Sequence, residues 1–151
     1  MASTNYKPRI AIIYASATGN TKAVAEILQQ ICRAKRLSVS NYAINDFAPP
    51  QLSRYDVVIV GTYTWGSGEI PKELQGLFTA FEELGNKRLV TAVFGTGDSC
   101  YAEFCGAVDR FRDMLFVHTD LAATLKVELM PQDKDYLRCE KLITNIAARV
   151  L

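Results

Sequence analysis

Short apolar runs rich in β-branched residues alternate along the chain with stretches in which apolar residues recur every three or four positions. Runs of the first kind suit strands buried on both faces, and the second pattern suits helices with one buried side. Strands are expected at 9–14, 37–43, 56–61, 89–94 and about 122–129. Val24, Ile27, Leu28 and Ile31 form the stripe of a first helix, and Leu74, Leu77, Phe78 and Phe81 that of a second. Phe104, Val108, Phe111 and Leu115 mark a third. Tyr136, Cys139, Ile143, Ile146 and Val150 mark a last helix, with a start signal at Pro131 and Asp133. Residues 45–54, with Pro49-Pro50, read as irregular or as a short helix. Strands alternating with helices call for a parallel sheet, because each parallel connection needs a crossover. The expected fold is α/β: three layers, with a five-stranded parallel sheet covered on both faces.

A length of 151 residues suits one domain spanning 1–151, and no repeat or linker divides it. Seventeen basic and sixteen acidic residues leave a formal charge of +1, without a block of either sign. That balance points to neither nucleic acid nor a membrane surface. The polar start Met1-Ala2-Ser3-Thr4-Asn5 lacks the order of a signal peptide, so a cytoplasmic protein is expected. Cys32, Cys100, Cys105 and Cys139 form no C-x-x-C pair and no zinc spacing with His118, the only histidine. No metal site is expected, and His118 reads as an exposed residue just beyond the third helix.

In an open parallel sheet, ligands bind beyond the carboxyl ends of the strands, at the point where the winding reverses. Three loops fall there. Ser16-Ala17-Thr18-Gly19-Asn20-Thr21 follows the first strand and opens a helix, offering unpaired amides, the positive end of a helix dipole and short hydroxyls. A phosphate monoester fits such a loop without any Lys or Arg. Taken alone, the hexamer also reads as an ordinary helix cap. Thr62-Tyr63-Thr64-Trp65-Gly66-Ser67-Gly68 follows the third strand, and Gly95-Thr96-Gly97-Asp98-Ser99-Cys100-Tyr101 follows the fourth. Trp65 and Tyr101 stand among glycines and small polar residues, a setting that suits stacking on a flat ligand; the plainer reading folds each ring back over the sheet end. Gly66, Gly95 and Gly97 would allow close backbone approach to the ligand's polar edge. Asp98 reads as a turn-stabilising residue bonded to nearby amides.

The three loops carry motifs that resemble the flavodoxins, small FMN-binding electron carriers. Thr/Ser-x-Thr-Gly-x-Thr is matched by residues 16–21, Thr-Tyr-Thr-Trp-Gly-x-Gly by 62–68, and Gly-x-Gly-Asp-Ser-x-Tyr-x-x-Phe-Cys-Gly-Ala-Val-Asp by 95–109. The resemblance runs nearly end to end and, with no long insertion in the fifth strand, is to the short-chain members, implying strand order 2-1-3-4-5. It implies FMN as cofactor, with Ser16, Ala17, Thr18, Gly19, Asn20 and Thr21 around the phosphate and Trp65 and Tyr101 against the two faces of the ring. Thr62, Tyr63, Thr64, Gly66, Ser67, Gly68, Thr96, Gly97, Asp98, Phe104 and Cys105 complete the implied binding site. By the same resemblance the chain is a monomeric one-electron carrier without substrate turnover, taking electrons from a flavodoxin/ferredoxin reductase and passing them to acceptor proteins. Two departures stand out: the family is usually strongly acidic, and Ser67 occupies a position that is commonly Asp. An FMN-dependent quinone reductase and a flavodoxin-like activator of ribonucleotide reductase are the alternatives.

Overall fold

The structure is a computed structural model and describes residues 7–151; the polar start Met1–Asn5 lies outside the described residues. Five strands, β1 (Arg9–Tyr14), β2 (Ser38–Ala43), β3 (Val57–Tyr63), β4 (Val90–Gly97) and β5 (Asp120–Glu128), form one sheet of order β2-β1-β3-β4-β5. All four pairings are parallel. Helices α1 (Asn20–Ala34), α2 (Gln75–Leu84), α3 (Gly106–His118) and α4 (Asp133–Val150) supply the crossovers and the cover.

The pleat sorts the strand residues between two cores. Ile10, Ile12, Val57, Ile59 and Phe94 pack under α1 and α4, against Val24, Leu28, Cys139, Ile143 and Ile146. Their neighbours Ala11, Ile13, Val58, Val60 and Val93 face the other way, toward Leu77, Phe81, Val108, Phe111 and Leu115 of α2 and α3. Two-sided burial is the reason these strands read as unbroken apolar runs. The segment between β2 and β3 resolves into one turn of tight helix at Ile44–Asp46 and a second, longer stretch at Pro49–Arg54. Pro at the start of the second stretch gives up no bond, since its missing N–H would have had no partner there.

Strand limits differ from expectation mainly at the carboxyl edge. β3 runs on to Tyr63 and β4 to Gly97, so Thr62 pairs with Gly95 and Tyr63 with Thr96 inside the ladder. Gly95 makes this possible beneath α3: a Cβ there would lie 2.3 Å from Val108 Cγ2 and 2.7 Å from the Thr62 carbonyl. Gly95 therefore admits a helix, where ligand approach was expected. The stripe of α4 also begins differently, because Tyr136 is exposed and Asp135 is buried. Asp135 turns inward to accept the Gln132 amide at 2.9 Å and Arg138 at 2.9 Å, which caps the helix. His118 is the half-buried last residue of α3, where an exposed residue beyond the helix was expected.

Candidate functional site

β1 and β3 lie side by side while their following crossovers run to opposite faces, so a crevice opens at their carboxyl ends. The three candidate loops meet there around a cleft of about 410 Å³. Ala17, Thr18 and Asn20 contribute from the first loop, Tyr63, Thr64 and Gly66 from the second, and Thr96, Gly97, Asp98, Tyr101 and Cys105 from the third. Glu103 and Leu129 complete the lining.

In the first loop Gly19 has φ +94°, and nothing lies within 4 Å of the place a Cβ would take. The chain turns there into α1, leaving the amides of Asn20 and Thr21 without carbonyl partners inside the helix. Ser16 Oγ folds over this start and accepts the Gly19 and Lys22 amides at 3.1 and 3.2 Å. Thr21 points elsewhere. It is 1% exposed, and its hydroxyl lies 2.8 Å from Thr96 Oγ1, tying the start of α1 to the end of β4.

The second loop is a tight reversal closed by two bonds between Trp65 and Glu69, at 2.8 and 2.7 Å. Three residues span it, and the left-handed turn falls on Gly66 (φ +53°) and Gly68 (φ +88°). Trp65 is 63% exposed at the closing pair of the turn, and Ser67 is exposed within it. Thr62 is buried and its hydroxyl donates to the Tyr63 carbonyl at 2.6 Å. Thr64 Oγ1 accepts the Ala107 amide at 3.3 Å, which ties the loop to α3. Tyr63 donates its hydroxyl to Glu73 at 2.9 Å; burial first, then this carboxylate, push the phenol above its ordinary pKa.

In the third loop Asp98 accepts the Cys100 amide at 2.9 Å, as its turn-stabilising reading requires. Bonding to Asp98 and the charges of Asp98 and Glu128 push the exposed Cys100 thiol upward in pKa. Tyr101 is 69% exposed. Phe104 is half-buried beneath Lys126, and Cys105 turns the chain into α3 at φ +51°. Cys105 Sγ sits 3.8 Å from the Gly95 carbonyl, and burial pushes its thiol to about 11.

Glu103 and Leu129 were not singled out from the sequence. Glu103 shares the loop of Tyr101 and packs its Cβ near Gly68. Leu129 follows the fifth strand, whose carboxyl end reaches the same edge, and its amide bonds the Gly97 carbonyl at 2.8 Å. The register of a parallel sheet carried that signal. Neither Lys nor Arg lines the cleft. A helix start with open amides, beside a cleft lined by Tyr101 and with Trp65 exposed on the neighbouring loop, suits a doubly wound protein that takes a phosphorylated planar ligand.

Comparison with known proteins agrees. The flavodoxin family model matches residues 12–135. "Probable flavodoxin 1" of Bacillus subtilis is 39% identical over 143 residues, 91% of this chain and 89% of its own. The flavodoxin of Nitratidesulfovibrio vulgaris is 33% identical over 147 residues, 94% of this chain and 96% of its own. Among solved structures, a Streptococcus pneumonia flavodoxin superposes with TM-score 0.89 at 31% identity, covering 94% of this chain and 99% of its own. The chain belongs to the flavodoxin family, as one of its short-chain members. Its cofactor is FMN and its general role is electron carriage. The residues present fit that cofactor: the open Gly19 turn suits a phosphate, and Tyr101 lines the cleft beside it, while Trp65 stands exposed on the second loop outside the lining.

Proposed function

We propose that the chain holds FMN with its phosphate against Ser16–Thr21 and its ring between Trp65 and Tyr101. The remaining contacts come from Thr62, Tyr63, Thr64, Gly66, Ser67, Gly68, Thr96, Gly97, Asp98, Phe104 and Cys105. In this reading it shuttles single electrons from a flavodoxin/ferredoxin-type reductase to acceptor proteins. It does so as a monomer, in the cytoplasm, with residues 1–151 acting as one domain and turning over no substrate of its own. Bound FMN supplies the one-electron chemistry; the protein orients it, withholds water from one side and sets the charge around it. The convergence of the three loops on one cleft carries the proposal. Among the described residues no helix is long and apolar enough to cross a membrane.

The phosphate assignment is tested by titrating FMN-free protein with FMN and with riboflavin. A hydrogen bond to a charged group contributes about 1.5 to 3 kcal/mol, so two such bonds give a preference on the order of 100-fold or more for FMN. Equal affinities would reduce Ser16–Thr21 to a helix start. Carrier and enzyme are separated by following nicotinamide oxidation with and without an added reductase. Turnover without the reductase would favour a quinone reductase.

A further inference from the structure

Each aromatic loop is fastened at a backbone carbonyl by a cation from the protein body. Arg110, on the second turn of α3, donates its Nε–H to the Gly68 carbonyl at 2.8 Å, where the Trp65 loop ends. Lys126, on β5, donates to the Phe104 carbonyl at 3.2 Å, where the Tyr101 loop ends. The first turn of α3 lies between them. Gly106 packs so closely on Gly68 that a Cβ would come within 2.7 Å of its Cα. Asp109, from the same turn, holds Lys126 at 2.9 Å and Arg112 at 3.0 Å. The Lys126 ammonium also lies 5.9 Å from the centre of the Phe104 ring. Neither cation lines the cleft.

We propose that Arg110 and Lys126 are positioning residues that fix the separation of Trp65 and Tyr101 before FMN arrives, with the start of α3 as their common anchor. The exposed tips need such a device. Trp65 and Tyr101 bury too little of themselves to hold their own loops, while stacking on both faces of a ring demands a fixed gap. A carbonyl at a loop end is the effective point of attachment, because fixing it limits the loop without touching the tip. Both attachments run to α3 or to its Asp109 partner, so a shift of that helix start would move the two walls together.

This inference rests on the proposed place of the ring, and the test separates the two. Trp65 is the only tryptophan of the chain, so its emission anisotropy reports the motion of its loop in FMN-free protein. In Arg110→Met the Trp65 anisotropy is expected to fall; in Arg110→Lys it recovers in part. In Lys126→Met it stays as in the native chain. FMN and riboflavin should each bind the two Met variants roughly threefold to tenfold more weakly, the range for the net contribution of one hydrogen bond. Because the first loop is untouched, their affinity ratio is expected to stay constant. A change in that ratio, or native anisotropy and native affinity in Arg110→Met, would overturn the brace. Trp65→Ala and Tyr101→Ala serve as the reference pair: native flavin affinity in both would sink the ring placement itself. Weak binding in both, with native binding in the Met variants, would sink only the brace.

Discussion

Asp98 and Glu103 bring carboxyl groups to the cleft lining, and Ser67, on the neighbouring Trp65 loop, brings none. Ser67 is exposed at the tip of the Trp65 loop, where the family commonly has an acid, while Glu103 lines the cleft beside Tyr101. Reduction adds negative charge to the flavin, and a neighbouring carboxylate resists it. At about 10 Å and an effective dielectric of about 40 to 80, one carboxylate is worth roughly 0.4 to 0.8 kcal/mol. For a one-electron step that is about 20 to 35 mV. Ser67→Asp is expected to lower the more negative of the two FMN potentials by this amount, and Glu103→Gln to raise it by a similar one. A redox titration of both variants decides; unchanged potentials in the pair would place control with hydrogen bonds and solvent access.

Among the elements, α3 meets the site both through the close approach of its backbone at Gly106 and through the side chains of Arg110 and Asp109. Gly106→Ala would drive a methyl into the backbone of Gly68, a neighbour that cannot rotate aside. Overpacking of this kind costs about 1 to 3 kcal/mol. The variant is expected to melt lower and, by displacing the Trp65 loop, to bind FMN more weakly than its lost stability alone explains; calorimetry and titration measure the two effects. The helices and strands themselves were legible in apolar spacing, because two-sided strands and one-sided helices leave different periods. What spacing missed were polar residues with inward tasks. Asp135 is buried because it caps α4, so the stripe placed Tyr136 inside in its stead. Thr21 looks like a loop hydroxyl but bonds across to Thr96, 75 residues away. Glu103 escaped notice because it lies past loop residues 95–101, where the chain passes close to Gly68 on its way into α3. The three loops were readable because each places small residues next to a strand end, a local arrangement.

For the whole molecule, three buried thiols shape the response to alkali. Burial pushes Cys32, Cys105 and Cys139 from an ordinary 9.0 up to about 11. The folded chain thus keeps these protons more tightly than the unfolded one, which stabilises it fully below about pH 9 and less as pH climbs through about 11. Melting temperatures are expected to fall across that window, and Cys139→Ala to fall less steeply. An identical slope in the variant would assign the alkaline loss to other groups.

The Thr21–Thr96 hydroxyl bond makes one binding event of what the cofactor's chemistry divides into two. It lashes the start of α1 to the end of β4, so that, with FMN placed as proposed, order imposed at the phosphate end is inherited by the ring end and the reverse. Cut into riboflavin and inorganic phosphate, FMN would be recognised cooperatively, each fragment sharpening the other's hold by the same factor. Phosphate in a buffer would then act as an effector of the ring site and not as a bystander.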